Sequence, residues 1–252
     1  MTTTTFLEPG FFCWVDVAAS DPTQTHKFFT QLFGWGRKVR PTDDAQAYSI
    51  MTCQGEHVAG ICGVECDGPS QWMSYLLVDD LKTTTEKALI LGASVVKRDI
   101  EIPGFGVMTI IQDPTGALFA LWQSQKQEKV GPPGHGTVCW NELITTDLSK
   151  ASLFYKELAS WTSQESTFGP SGYTLFQKHD SNVCGMMACT EEFVHSNWLV
   201  YFTVDSCEDS LQLAQRLGGS VIKPSFKVES LGKSAILSDP SGGVFGILEH
   251  LS

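Results

Sequence analysis

The sequence predicts an α+β fold: four βαβββ-type units in two tandem domains, with curled mixed sheets around concave pockets and helices outside. The first observation behind this is a repeat. Cys13-Trp14-Val15-Asp16 returns as Cys139-Trp140-Asn141-Glu142, and the offset, 139 − 13 = 126, is half of the 252-residue chain. At the same offset Trp35 falls on Trp161, Trp72 on Trp198, Tyr75 on Tyr201, and Leu91-Gly92 on Leu217-Gly218. Asp113-Pro114-Thr115-Gly116 falls on Asp239-Pro240-Ser241-Gly242. Six of the seven tryptophans form three such pairs, so the halves read as two copies of one domain. The second observation is an order of strand, helix, then two or three strands, met four times. The third is the stretch 123–136, polar and rich in Gly and Pro, which reads as a linker. Domains are therefore expected at 1–123 and 137–252, with 124–136 joining them.

Each element has a local cause. Residues 12–18 have strand character. Asp21-Pro22 supplies an N-cap and a first-turn proline, and Phe28, Phe29, Leu32 and Phe33 form the apolar face of the helix that follows. Gly34 stops it. Short strands are expected at 48–52 and 58–62, then a strand at 72–78. The acids Asp79 and Asp80 precede a helix ending at Leu91-Gly92, and strands at 94–97, 107–111 and 117–122 complete the copy. The second copy repeats the series, with helices at 148–159 and 208–217.

Composition excludes several functions. The chain is 42% hydrophobic and 18% charged, an ordinary globular balance with enough apolar residues for substantial cores. A net charge of −11 argues against nucleic acid or an anionic membrane as partner. The opening MTTTTFLEPG lacks the basic and apolar regions of a secretory signal, and the longest strongly apolar stretch, 198–204, is too short to span a bilayer. Cysteines stand at 13, 53, 62, 66, 139, 184, 189 and 207 with no CxxC pair, which fits reduced thiols in a cytoplasmic protein better than disulfides or a zinc site. His26, His57, His135, His179, His195 and His250 have no paired ligand spacing. Surface or loop positions are expected for them, with fraying at His250.

Two series of short motifs carry a resemblance. Ser20-Asp21, His26-Lys27-Phe28-Phe29, Leu32-Phe33-Gly34-Trp35, Tyr75-Leu76-Leu77-Val78-Asp79, Leu91-Gly92-Ala93 and Asp113-Pro114-Thr115-Gly116-Ala117-Leu118-Phe119 occur in order, and the second half repeats the series. In this the chain resembles the vicinal oxygen chelate superfamily of glyoxalases, bleomycin resistance proteins and extradiol dioxygenases, and looks like its two-domain glyoxalase-like members. The resemblance implies a divalent metal inside each curled sheet, held by His, Gln or Glu on the first strand of each unit and Glu on the last. Those positions fall on Trp14, Met73 and Ala120 in the first copy and Trp140, Leu199 and Gly246 in the second. None offers a donor suited to such an ion. A fourth position per copy is not placed by the sequence. The implied expectation is no metal and no cofactor.

Strand alternation sets what stands there instead. Trp14 shares a face with Asp16 and Ala18, and Trp140 with Glu142 and Ile144. Met73, Tyr75 and Leu77 share another, matched by Leu199, Tyr201 and Thr203; Ala120 and Trp122 are matched by Gly246 and Leu248. Cys13 and Cys139 point the other way. The expected ligand pockets are therefore lined by Trp14, Asp16, Met73, Tyr75, Ala120 and Trp122, and by Trp140, Glu142, Leu199, Tyr201 and Gly246. Asp16 and Glu142 are the candidate catalytic acids. Aromatic rings beside a carboxylate suit a small aromatic or cationic ligand. The expected function is metal-independent binding of such a small molecule by a monomer that mimics a dimer, or by a homodimer. The alternatives are a glyoxalase- or dioxygenase-type enzyme with a divalent metal at other ligands, a metal-free acid–base enzyme, and a purely structural role in which the tryptophans plug the cavities.

Overall fold

A computed structural model of the protein describes residues 6–39, 48–65, 68–129, 131, 133–166 and 172–251. Cys66, and positions 130 and 132 of the linker, lie outside them. The first copy runs β1 (Phe12–Ala19), α1 (Pro22–Phe33), β2 (Gly36–Val39), β3 (Ser49–Cys53), β4 (Glu56–Gly63), β5 (Gln71–Leu77), α2 (Leu81–Ile90), β6 (Ser94–Ile102), β7 (Gly106–Gln112) and β8 (Leu118–Ser124). The second runs β9 (Val138–Thr145), α3 (Leu148–Ala159), β10 (Thr162–Glu165), β11 (Thr174–Lys178), β12 (Ser181–Ala188), β13 (Asn197–Thr203), α4 (Cys207–Arg216), β14 (Ser220–Val228), β15 (Gly232–Ser238) and β16 (Val244–His250). The strands form two open eight-stranded mixed sheets, ordered β2-β3-β4-β1-β5-β8-β7-β6 and β10-β11-β12-β9-β13-β16-β15-β14. This is the α+β arrangement of the repeat. Among the described residues no helix is long and apolar enough to cross a membrane.

The helix signals work as the sequence implies. Asp21 accepts a hydrogen bond from the Gln24 amide, and Asp80, Asp147 and Ser206 cap the other helices in the same way. Gly34 ends α1 in the left-handed conformation at φ 68°; its repeat mate Ser160 adopts φ 57° at the end of α3, with a Cβ that glycine does not have. Two strands, β2 and β10, are absent from the sequence reading. Both are four-residue edge strands of mixed polarity. His250, expected to fray, is the last residue of β16 and pairs with Gly232.

The compact units do not follow the halves of the sequence. One comprises Met1–Trp14, Ser74–Val130 and Asn141–Trp198, the other Val15–Met73, Gly131–Trp140 and Leu199–Ser252. Each thus combines segments from both copies. In the unit holding α1 and α4, Val15, Val17 and Ala19 of β1 pack with Phe28, Phe29, Leu32 and Phe33, and with Phe202, Phe245 and Ile247. In the unit holding α2 and α3, Leu76, Phe119 and Leu121 pack with Phe154, Tyr155, Leu158, Phe176 and Trp198. Each fully buried aromatic contributes about 1.5–3 kcal/mol.

The two cores solve one polar problem differently. In the second of these units the Trp198 indole donates to Tyr155 Oη (3.0 Å), and Tyr155 donates to Asp113 Oδ2 (2.8 Å). Asp113 also accepts from the amides of Thr115 and Ala117, which closes the Asp-Pro-Thr-Gly turn. Burial, and then the Asp113 charge, push the Tyr155 phenol well above its usual value, so it stays protonated and donating. In the other unit Phe29 stands at the repeat position of Tyr155 and packs edge-on against Trp72, with centroids 5.4 Å apart. Trp72 Nε1 is buried there with no hydrogen-bond partner. Asp239 instead accepts from Thr25 Oγ1 at 3.1 Å. Tyr155→Phe should therefore destabilise the protein by about 1–3 kcal/mol, since it leaves the Trp198 N–H and an Asp113 oxygen unsatisfied. Phe29→Tyr should be neutral or stabilising, because it offers Trp72 an acceptor. Urea denaturation of both variants measures this asymmetry.

Candidate functional site

Each unit brings a buried carboxylate under a tyrosine, and each pair is built the same way. Asp16 on β1 lies in parallel register with Gly60 on β4. Tyr48, just before β3, donates to Asp16 Oδ2 at 3.3 Å. In the other unit Glu142 on β9 is in register with Gly185 on β12, and Tyr173 donates to Glu142 Oε1 at 2.8 Å. Both carboxylates are 7% exposed. A Cβ on Gly60 would overlap the Tyr48 phenol, and one on Gly185 would overlap that of Tyr173. Glycine on the fourth strand is what lets the ring reach the acid.

Asp16 and Glu142 were legible as candidates; their tyrosine partners were not. The offset between Tyr48 and Tyr173 is 125 (173 − 48), as it is between Gly60 and Gly185 (185 − 60), whereas the acids differ by 126. Sliding the chain by 126 sets Tyr48 on Thr174 and hides the pair. An alignment tolerant of one deletion after Trp161 is the signal that finds it.

Strand register also places the fourth implied metal position. On β8, Ala120 is in register with Tyr75, two residues beyond Met73. The matching residue on β4 is the register partner of Asp16, two residues beyond Trp14, and that is Gly60. In the second copy it is Gly185. The four positions are therefore Trp14, Gly60, Met73 and Ala120, and Trp140, Gly185, Leu199 and Gly246, and none carries a ligating side chain. A Cβ on Gly246 would overlap the ring of Tyr201, its register partner. At Gly60, Gly185 and Gly246 tyrosine rings lie where a ligand side chain would begin. Among the described residues no three His, Cys, Asp or Glu side chains group closely enough to hold a metal ion. The residues at these positions do not fit a divalent ion.

The other expected lining residues are distributed as follows. Tyr75 and Trp122 meet edge-on at 6.3 Å, and the Trp122 indole donates to Glu128 Oε1 at 3.1 Å, a partner not evident from strand alternation. Ala120, Leu199, Tyr201 and Gly246 are buried, while Trp14, Trp140 and Met73 are partly exposed. His26 corrects an expectation. It is 8% exposed, its Nδ1 donates to the Pro22 carbonyl, and burial and then the Arg37 charge hold its pKa down. Its apolar-side place on α1 buries it. The same repeat position on α3 is Ser152, which lines a groove of about 420 Å³ with Lys156, Gln164 and Met186. His57, His179, His195 and His250 are exposed, and His135 is half-buried, with Nδ1 accepting from the Asp205 amide.

Comparison with known proteins follows this geometry. The family profile described as "Glyoxalase-like domain" matches residues 14–122. The Mycobacterium tuberculosis protein CFP32, whose name carries a provisional glyoxylase assignment, is 34% identical over 244 residues, covering 94% of this chain and 93% of that one. The anthracycline biosynthesis protein DauV of Streptomyces sp. strain C5 is 29% identical over 262 residues, covering 96% and 94%. Among solved structures, the Mn(II)-bound glyoxalase of Novosphingobium aromaticivorans matches with TM-score 0.68 and 12% identity, over 96% of this chain and 83% of that one. The 2,3-dioxygenase LapB of Pseudomonas sp. KL28 matches with TM-score 0.64 and 17% identity, over 98% and 93%. At these identities the structural matches speak for the fold.

The thiols on the acid-bearing strands are poorly suited to nucleophilic chemistry. Cys13 and Cys139 donate to the carbonyls of Tyr75 and Tyr201, each at 3.5 Å. Burial pushes the Cys13 thiol well up and the Cys139 thiol to about 11. At pH 8 Cys139 then holds ~200-fold less thiolate than an ordinary cysteine. Iodoacetamide at pH 8 should label Cys13, Cys139 and Cys184 at least ~100-fold more slowly in the folded protein than in urea, as read by peptide mass spectrometry.

Proposed function

The chain belongs to the glyoxalase-like domain family of the vicinal oxygen chelate superfamily, and we propose that it binds a small aromatic or cationic molecule without a metal ion. The observation that carries this reading is the duplicated carboxylate–tyrosine pair set over a glycine where the metal's ligand would stand. Carboxylates pair with cations and amines, and aromatic rings stack on planar or cationic ligands, so an acid beside a tyrosine suits a ligand of that class. Trp14 lies two residues from Asp16 along β1, and Trp140 two from Glu142 along β9. In both cases an indole and an acid share a strand face. The relatives named for anthracycline biosynthesis point the same way, since anthracyclines are planar fused-ring aromatics and many carry an amine. A cytoplasmic location, with small molecules rather than nucleic acid or membrane as partners, belongs to the same reading.

A metal-free acid–base enzyme is the second reading. The Tyr48–Asp16 hydrogen bond favours it, because a phenol and a buried carboxylate form a proton relay. Conversion of a bound probe to a product of different mass would select it over simple binding.

The test is a titration with doxorubicin, a planar aromatic cation, followed by ligand fluorescence and by thermal shift, beside elemental analysis of the purified protein. Binding should raise the melting temperature, and Asp16→Asn should weaken it about tenfold, the loss of one charge-assisted contact of about 1.5 kcal/mol. Trp14→Ala should weaken it as well. Binding indifferent to Asp16→Asn and Trp14→Ala, or one tightly held Zn, Ni, Fe or Mn per domain, would overturn the proposal.

A further inference from the structure

We infer that only the Asp16–Tyr48 site of the two duplicated sites admits a ligand, and that Ile144 closes the other. This rests on the ligand-binding reading above and assigns it to one of the two copies. The pairs are alike in construction, and among the described residues three neighbours differ in exposure. On β1 the residue beyond the acid is Ala18, partly exposed; on β9 it is Ile144, 1% exposed. Tyr48 is partly exposed, whereas Tyr173 is 7% exposed. Two positions before the glycine, Val58 on β4 is partly exposed, and Val183 on β12 is 8% exposed.

The hydrogen bonds follow the same division. Glu142, one methylene longer than Asp16, meets its tyrosine at 2.8 Å in a buried bond, a length expected of a phenol donating to a carboxylate. Asp16 meets Tyr48 at 3.3 Å in a partly buried bond, which is long for that type. The shorter acid makes the longer bond, and the Ala18 beside it is small and partly exposed. The longer acid with Ile144 fills the corresponding volume with protein. Ala18 against Ile144 is thus a difference of three carbons on one strand face, placed two residues from the charged group.

The swap that tests this is Ala18→Ile, which copies the second site's residue into the first. Isoleucine occupies this strand position in the second copy, and Ala18→Val is the smaller companion that keeps the test open if Ala18→Ile fails to fold. Calorimetric titration with doxorubicin should give one equivalent per wild-type chain. Ala18→Ile should weaken that site at least tenfold with the melting temperature of the unliganded protein unchanged, and Ala18→Val should lie between. Two equivalent sites in the wild-type chain, or one undiminished site in either folded Ala18 variant, would overturn the inference while leaving the binding reading standing. No binding by the wild-type chain overturns that reading and this inference with it.

Discussion

A tyrosine ring can lie flat across a parallel strand only where that strand offers a glycine, and this constraint organises the interior of both copies. Gly60 and Gly185 clear the path by which Tyr48 reaches Asp16 and Tyr173 reaches Glu142, and Gly246 does the same for the ring of Tyr201. Once a ring lies there, no side chain can start from the glycine without displacing it. Three of the strand positions at which the superfamily resemblance implies metal ligands are thereby ring seats. The change is coupled: a glutamate restored at Gly60 would meet the phenol, and the tyrosine would have to leave first. A ligating side chain at Gly60 therefore requires a second substitution at Tyr48.

The helices impose a second constraint, the satisfaction of a buried tryptophan and a buried aspartate at the end of each core. Trp198, Tyr155 and Asp113 meet it with a chain of two hydrogen bonds, each donor finding one acceptor. Phe29 breaks that chain in the other unit, where Thr25 takes over the aspartate and the Trp72 N–H stays unpaired. Asp239 is raised in pKa first of all by its burial, so this unit holds its carboxylate at a disadvantage that grows as the pH rises through its raised value. A duplicated fold can keep one half less well satisfied as long as the aromatic packing around it is dense. Phe29 contacts Phe28, Phe33, Trp35, Trp72, Phe202 and Phe245.

What was legible in the sequence is what local chemistry writes there. The cap at Asp21, the stop at Gly34 and the alternation of β1 depend on neighbours within four residues, and each reads true. The short polar edge strands β2 and β10 have no apolar face to alternate, so nothing marks them. The tyrosine partners were hidden by a one-residue change in spacing, and the burial of His26 by its polar character on the buried side of an amphipathic helix. The composition of the compact units was illegible for a different reason. The two copies carry nearly the same helix faces, so the pattern cannot say whether α1 packs with α2 or with α4.

The two acid–tyrosine pairs differ in the length of the acid and in the size of the residue beside it. Burying a carboxylate is costly unless it is hydrogen-bonded, and both acids accept from a tyrosine. Lengthening the acid by one methylene shortens its bond to the phenol, and enlarging the adjacent alanine to isoleucine excludes water from both. Those are the differences between Asp16 with Ala18 and Glu142 with Ile144. In the second copy the larger side chains thus occupy the strand face beside the acid, and in the first copy Ala18 covers less of it.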